Sequence, residues 1–169
     1  MIIPGKDFIP IVENAFSRNQ SIRMAAHGDS MTPFIYNGDI VEIKPLGQRV
    51  QFGDIVLARS GEGEFIIHRV VKNNKSGVKL RGDGLSFFAF DGPLPESDII
   101  GLVVRSWHNG NLRAHDQGVW KVMGLLWSVT CPFGIILYRL LRFLFSASGI
   151  RSCLRLKAKT LQNGARHKR

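Results

Sequence analysis

Acidic residues are missing from the last third of this chain. Its 169 residues include 13 Asp and Glu, and every one of them lies before position 119. Residues 119–169 carry ten Lys and Arg against no acid, so the whole formal charge of +10 belongs to that stretch. The preceding body is balanced. A uniformly basic protein that coats nucleic acid is therefore excluded, and the tail carries no motif for reading nucleic acid, so none is expected as a partner.

Cysteine is scarce as well. Cys131 and Cys153 are the only two, and neither belongs to a CxxC pair or sits beside a histidine pair. A disulfide framework is excluded, and no metal or cofactor is expected. A basic stretch followed by an apolar run is also absent from Met1–Asp7, so no secretory signal is expected there. With 44% hydrophobic and 21% charged residues, the chain is apolar enough to bury a core, and its length suits one domain with an appendage.

The patterning predicts a mainly β protein. Asp7 is a candidate N-cap for a short amphipathic helix over 8–18, with Phe8, Val12, Ala15 and Phe16 at helical spacing. Ile22, Met24 and Ala26 alternate as a strand. Apolar runs at 40–43, 55–58, 65–71, 78–80 and 99–104 follow, separated by Gly-, Asn- and Pro-rich turns. Short strands at this spacing predict a small, coiled antiparallel barrel or sandwich. The Gly-Asp pairs at 38–39, 53–54 and 82–83 read as turns that open strands, glycine supplying a positive φ and aspartate capping.

Four segments are expected: a catalytic domain over 1–107, a polar linker over 108–118, an apolar segment over 119–150 and a basic tail over 151–169. Within the third, Val122–Tyr138 is 17 residues without a charge. That is the short end for a spanning helix, and Pro132 and Gly134 would break it. Spanning and interfacial placements both stay open, as does a helical hairpin packed on the body's own apolar face or on a partner. Either of the first two makes the protein membrane-associated, with the basic residues suited to anionic headgroups.

The chemistry concentrates on a few side chains. Gly28-Asp29-Ser30-Met31-Thr32-Pro33 puts a serine on a tight turn after a strand, with backbone N–H groups at Gly28 to Ser30 available to a developing oxyanion. Serine is a poor nucleophile without a base. His68 is the candidate, a polar residue in the apolar strand Phe65–Val71; His27, His108, His115 and His167 are less well placed. A carboxylate should orient the imidazole, and Asp83 and Asp91 are the two candidates. Met24, Met31, Phe34 and Ile35 flank the serine and could line an apolar substrate pocket.

In this order and spacing, the strings resemble the catalytic region of the signal-peptidase superfamily, which also contains the self-cleaving repressor peptidases. They are Gly-Asp-Ser-Met-Thr-Pro at 28–33, Gly-Asp-Ile-Val at 38–41 and 53–56, Ile67-His68-Arg69-Val70, Arg81-Gly82-Asp83 and Ile100-Gly101-Leu102-Val103. Bacterial leader and repressor peptidases typically carry lysine on the strand where this chain has His68. The archaeal and endoplasmic-reticulum branch carries histidine, and this sequence resembles that branch. The resemblance implies a serine endopeptidase with Ser30 as nucleophile, His68 as general base and Asp83 or Asp91 as orienter. Its implied substrate is an extended signal, leader or precursor peptide. The asparagines that commonly follow the Gly-Asp motif are replaced by Gly84-Leu85, and Asp91 falls eight residues after Asp83. The alternatives are a membrane-docked β module that has lost activity and a self-cleaving regulator.

Overall fold

The computed structural model describes residues 5–61, 64–84 and 89–130, with side chains from residue 10. All belong to one compact unit, Met1–Cys131. Helix α1 (Gly5–Ser17) leads into β1 (Ile22–Ala25). It begins earlier than its capping signal implied and contains Pro10, at the cost of one backbone hydrogen bond. Then come β2 (Ile40–Lys44), β3 (Ile55–Arg59), β4 (Phe65–Asn74), β5 (Gly77–Arg81), β6 (Asp91–Leu94), β7 (Ile99–His108) and β8 (Asn111–Ala114). A second helix, α2, runs from 118 to 130, where the described residues end.

The eight strands form a single antiparallel sheet in the order β1-β2-β7-β3-β4-β5-β6, with β8 also on β7. The path is open: among the described residues β1 and β6 are its two ends and do not pair, so of the expected barrel or sandwich the closed barrel is not what forms. Strand β7 is long enough to take β3 along Ile99–Leu102 and β8 along Arg105–His108, while β2 pairs Leu102–Trp107. Because β2 overlaps both, β3 and β8 must share the opposite edge.

Strand β3 shows why the core has two parts. Its run Ile55-Val56-Leu57-Ala58 is buried throughout, and alternation sends successive side chains to opposite faces. Ile55 and Leu57 join a cluster with Val12, Met31, Ile35, Val41 and Val103. Val56 and Ala58 join another with Val70, Val78, Leu80 and Ile99.

Residues 108–114 of the expected linker are instead part of the sheet. Asn109 (φ 50°) and Gly110 (φ 80°) are both left-handed, as a tight two-residue hairpin requires, and they pair His108 with Asn111 and Trp107 with Leu112. Strand β6 was not legible either. Its sequence Asp-Gly-Pro-Leu has low strand propensity, and the β5 partners Val78 and Leu80 hold it in place.

Of the expected apolar segment, residues 119–130 are described, as α2. The remainder, the basic tail and both cysteines lie outside the described residues. No helix among the described residues is long and apolar enough to cross a membrane. Helix α2 packs on the body by one stripe, with Trp120 and Trp127 edge-on to Phe34 at centroid distances of 6.5 and 5.9 Å.

Candidate active site

The turn after β1 is fixed by its own backbone before any distant residue contributes. Thr32 N–H donates to Asp29 O, and Phe34 and Ile35 N–H donate to Met31 O, winding residues 29–35 into a compact knot. Gly28 takes φ +88°, a conformation that favours glycine, and its N–H donates to Asn37 Oδ1 at 3.0 Å. That N–H is therefore already engaged, and of the expected oxyanion donors Asp29 and Ser30 remain. From the other side, Arg113 of β8 donates to Phe34 O at 2.8 Å.

Strand β4 carries His68, buried and aimed back at this knot. Its Nε2 lies 3.1 Å from Ser30 Oγ, and its Nδ1 lies 2.5 Å from Asp91 Oδ2. An ionised carboxylate accepts only, so the Nδ1 proton points to Asp91 and leaves the Nε2 lone pair facing the serine hydroxyl. The register explains how Asp91 reaches in. Strand β5 ends at Arg81, opposite Arg69, so the position opposite His68 falls at Gly82, where the strand has already ended. Asp91, at the start of β6, occupies the lane this opens.

Asp83 does something else. It is 1% exposed and grips Arg69, itself 2% exposed, through contacts of 2.6 and 2.8 Å from Nη2 and Nε. Of the two candidate carboxylates, the structure thus brings Asp91 to the histidine and turns Asp83 to a buried ion pair. The other two Gly-Asp pairs match their turn reading. Gly38 and Gly53 have positive φ, and Asp39 and Asp54 accept from the N–H groups of Tyr36 and Gln51.

Arg69, which the sequence marks only as part of Ile67-His68-Arg69-Val70, organises the region beneath the serine. Besides Asp83 it donates to Gly53 O at 2.8 Å, and its guanidinium lies 4.8 Å from the Phe34 ring centroid. Gly124 of α2 packs against that guanidinium with no room for a Cβ. The Trp127 indole N–H donates to Asp83 O at 3.1 Å, and Arg81 donates to Ser128 O. A sequence signal for this packing exists. Trp120, Gly124, Trp127 and Ser128 recur at one helical stripe, but the apolar residues around them mask it.

A cleft of about 190 Å³ opens beside Ser30 and His68. Met24, Met31 and Ile35 line it as expected of pocket candidates, together with Ala26, Leu57 and Phe65. Phe34 does not; it lies on the far side of the turn, between Arg69 and the two tryptophans. His27 reaches the cleft, while His108 pairs with Asp39 and His115 with Ser106. His167 lies outside the described residues. No lysine lines the cleft, and among the described residues no group of three His, Cys, Asp or Glu is placed to hold a metal ion.

A buried histidine linking a turn-borne serine to a carboxylate on a β scaffold is an arrangement suited to acyl transfer. Residues 3–103 match the family described as Peptidase S24-like, and the chain belongs to that family, within the superfamily of repressor peptidases and signal peptidases. The match covers the sheet through the first half of β7 and stops before β8 and α2. A comparison with curated proteins finds no match.

Proposed function

We propose that this protein is a serine endopeptidase that cuts an extended peptide segment, with Ser30 as nucleophile, His68 as general base and Asp91 as its orienting carboxylate. One observation carries the reading: the continuous relay from Ser30 Oγ through both ring nitrogens of His68 to Asp91. Ser30 attacks the scissile carbonyl as its hydroxyl proton passes to His68 Nε2. Asp91 holds the imidazole in the required tautomer and stabilises the imidazolium that forms. The Asp29 and Ser30 N–H groups are the candidate donors to the developing oxyanion, and His68 returns the proton to the leaving amine. Water then resolves the acyl-enzyme.

The cleft supports the substrate class. Its walls are β1 and β4, and β1 ends the sheet path with one edge unpaired by any described strand. An extended substrate adds along such an edge through main-chain hydrogen bonds. The pocket of Met24, Ala26, Met31, Ile35 and Leu57 then takes a small or medium apolar side chain. Signal, leader and precursor peptides fit this description, and the histidine at position 68 is similar to the archaeal and endoplasmic-reticulum signal peptidases.

The same proposal places the protein at a lipid surface. Val119, Val122, Met123, Leu126 and Val129 are exposed along the outer side of α2. The chain from Val119 onward contains ten basic residues and no acid, complementary to anionic headgroups.

The test is labelling with a serine-reactive phosphonate. The wild-type protein labels, and Ser30→Ala and His68→Ala lose the label while keeping the melting temperature. Equal labelling of Ser30→Ala would remove Ser30 as the nucleophile. A second reading, self-cleavage, draws on the kinship with repressor peptidases. Intact mass after prolonged incubation separates it, because only a self-cleaving chain falls into two fragments without added substrate.

A further inference from the structure

The family match ends at residue 103, yet the helix beyond it touches the centre of the site. One of its contacts falls on the peptide group that joins Asp83 to Gly84. Its carbonyl oxygen accepts from the Trp127 indole N–H at 3.1 Å. Its N–H donates to the carbonyl oxygen of Ser30 at 2.7 Å. One rigid plane therefore connects α2 to the serine backbone, and rotating that plane breaks both bonds together.

The surroundings leave this plane little room. A Cβ at Gly84 would lie 2.9 Å from Asp29 O and 3.0 Å from Thr32 O, so the glycine backbone is pressed directly onto the serine turn. The Asp83 side chain is anchored separately by Arg69. The carboxylate and the carbonyl of one residue are thus held by two elements, β4 and α2. A carbonyl that accepts a hydrogen bond also polarises its own N–H toward a stronger bond, here to Ser30.

We propose that Trp127 is a positioning residue for Ser30, acting through the Asp83–Gly84 peptide, so that α2 is a brace for the nucleophile turn rather than an appendage. The catalytic part of this inference rests on the Ser30 reading above; the mechanical part does not. Trp127 touches no reacting atom. It fixes the backbone from which Oγ is presented to His68, and an offset of a few tenths of an ångström there lengthens a contact that already stands at 3.1 Å.

The experiment compares two tryptophans of the same helix. Trp127→Phe keeps an aromatic ring against Phe34 and removes the N–H. Trp120→Phe makes the same chemical change on a residue that also packs on Phe34, while the indole that bonds Asp83 O stays intact. Phosphonate labelling is resolved into a maximal rate constant and a half-saturating concentration. Trp127→Phe is expected to lower the maximal rate constant about five- to tenfold, the effect of one hydrogen bond, with the half-saturating concentration unchanged. Trp120→Phe is expected to label at the wild-type rate. Hydrogen exchange at the Gly84 amide is the readout independent of catalysis: its protection falls in Trp127→Phe and holds in Trp120→Phe. Wild-type labelling and Gly84 protection in Trp127→Phe, or equal losses in both variants, would overturn the brace. If the wild-type chain fails to label at all, the nucleophile reading falls, and the exchange comparison still decides whether Trp127 grips this peptide.

Discussion

Asp91, and not Asp83, stands 2.5 Å from His68, while Asp83 faces Arg69 across a fully buried ion pair. The two aspartates lie in similar glycine-flanked sequence, but they do different physical work. Asp91 is about one-third exposed and holds an imidazole; Asp83 is sealed and holds a guanidinium.

Exchanging each carboxylate for an amide therefore separates catalysis from stability. Asp91→Asn removes the acceptor that selects the productive tautomer, and peptidase activity is expected to fall roughly 10³- to 10⁴-fold with little change in melting temperature. Asp83→Asn leaves the buried Arg69 charge without its partner, which costs on the order of 3–5 kcal/mol. Urea denaturation of the two variants, read beside phosphonate labelling, checks both. A stable but inactive Asp83→Asn would reverse the assignment.

The strands were legible because burial on both faces writes a continuous apolar run, as in β3, and burial on one face writes an alternation. The Ser30–His68 pair was legible because its motifs stand in order. The choice between Asp83 and Asp91 was not, since it depends on where β5 stops relative to β4, a long-range register with no local signature. Strand β8 reads as linker although Asn109-Gly110 is a strong hairpin signal; the polar residues around it obscure the strand it starts. Which residues of α2 face the body was hidden for the opposite reason. Its outer side is also apolar, so the stripe of Trp120, Gly124 and Trp127 did not stand out against it.

Gly84 is a position where the fold tolerates no side chain. A Cβ there meets three carbonyl oxygens of the serine turn, at 2.9, 3.0 and 3.4 Å, and all of them are backbone. Gly84→Ala must therefore push the Ser30 turn away or break the Gly84–Ser30 hydrogen bond. Phosphonate labelling is expected to fall at least tenfold, with a stability loss of about 1–3 kcal/mol from the overpacked contact. The relevant comparison is Gly47→Ala, where a Cβ meets nothing within 4 Å and neither quantity should move.

Stability should also fall in mild acid because of a histidine outside the catalytic relay. His115 is buried against Ser106, and burial, helped by the nearby Arg69 and Arg113 charges and opposed by Asp39, lowers its pKa to about 4. The unfolded chain binds that proton near pH 6.5, so the native state is favoured fully above 6.5 and loses this advantage as pH falls toward 4. Between pH 7.5 and 4.5 the loss from this group is on the order of 2–3 kcal/mol. Urea titrations of wild type and His115→Gln at the two values measure it. The wild-type slope should be steeper, and equal slopes would mean that His115 is charged in the folded protein.

The outer side of α2 gives the last test, because its inner side already has an occupant in the body. Val122 and Leu126 lie one helical turn apart, 56% and 61% exposed, so burying the rest of each in a bilayer interface favours binding by about 1–2 kcal/mol each. In the full chain, Val122→Asp with Leu126→Asp should lower partitioning onto vesicles rich in phosphatidylglycerol by more than tenfold. The inner stripe is untouched, so phosphonate labelling in solution should stay at the wild-type rate. Raising the salt screens the basic residues and leaves the apolar contribution, so the gap between wild type and variant should persist at high ionic strength. Equal partitioning of both proteins would assign all lipid attraction to the basic residues and leave the outer side of α2 for a protein partner.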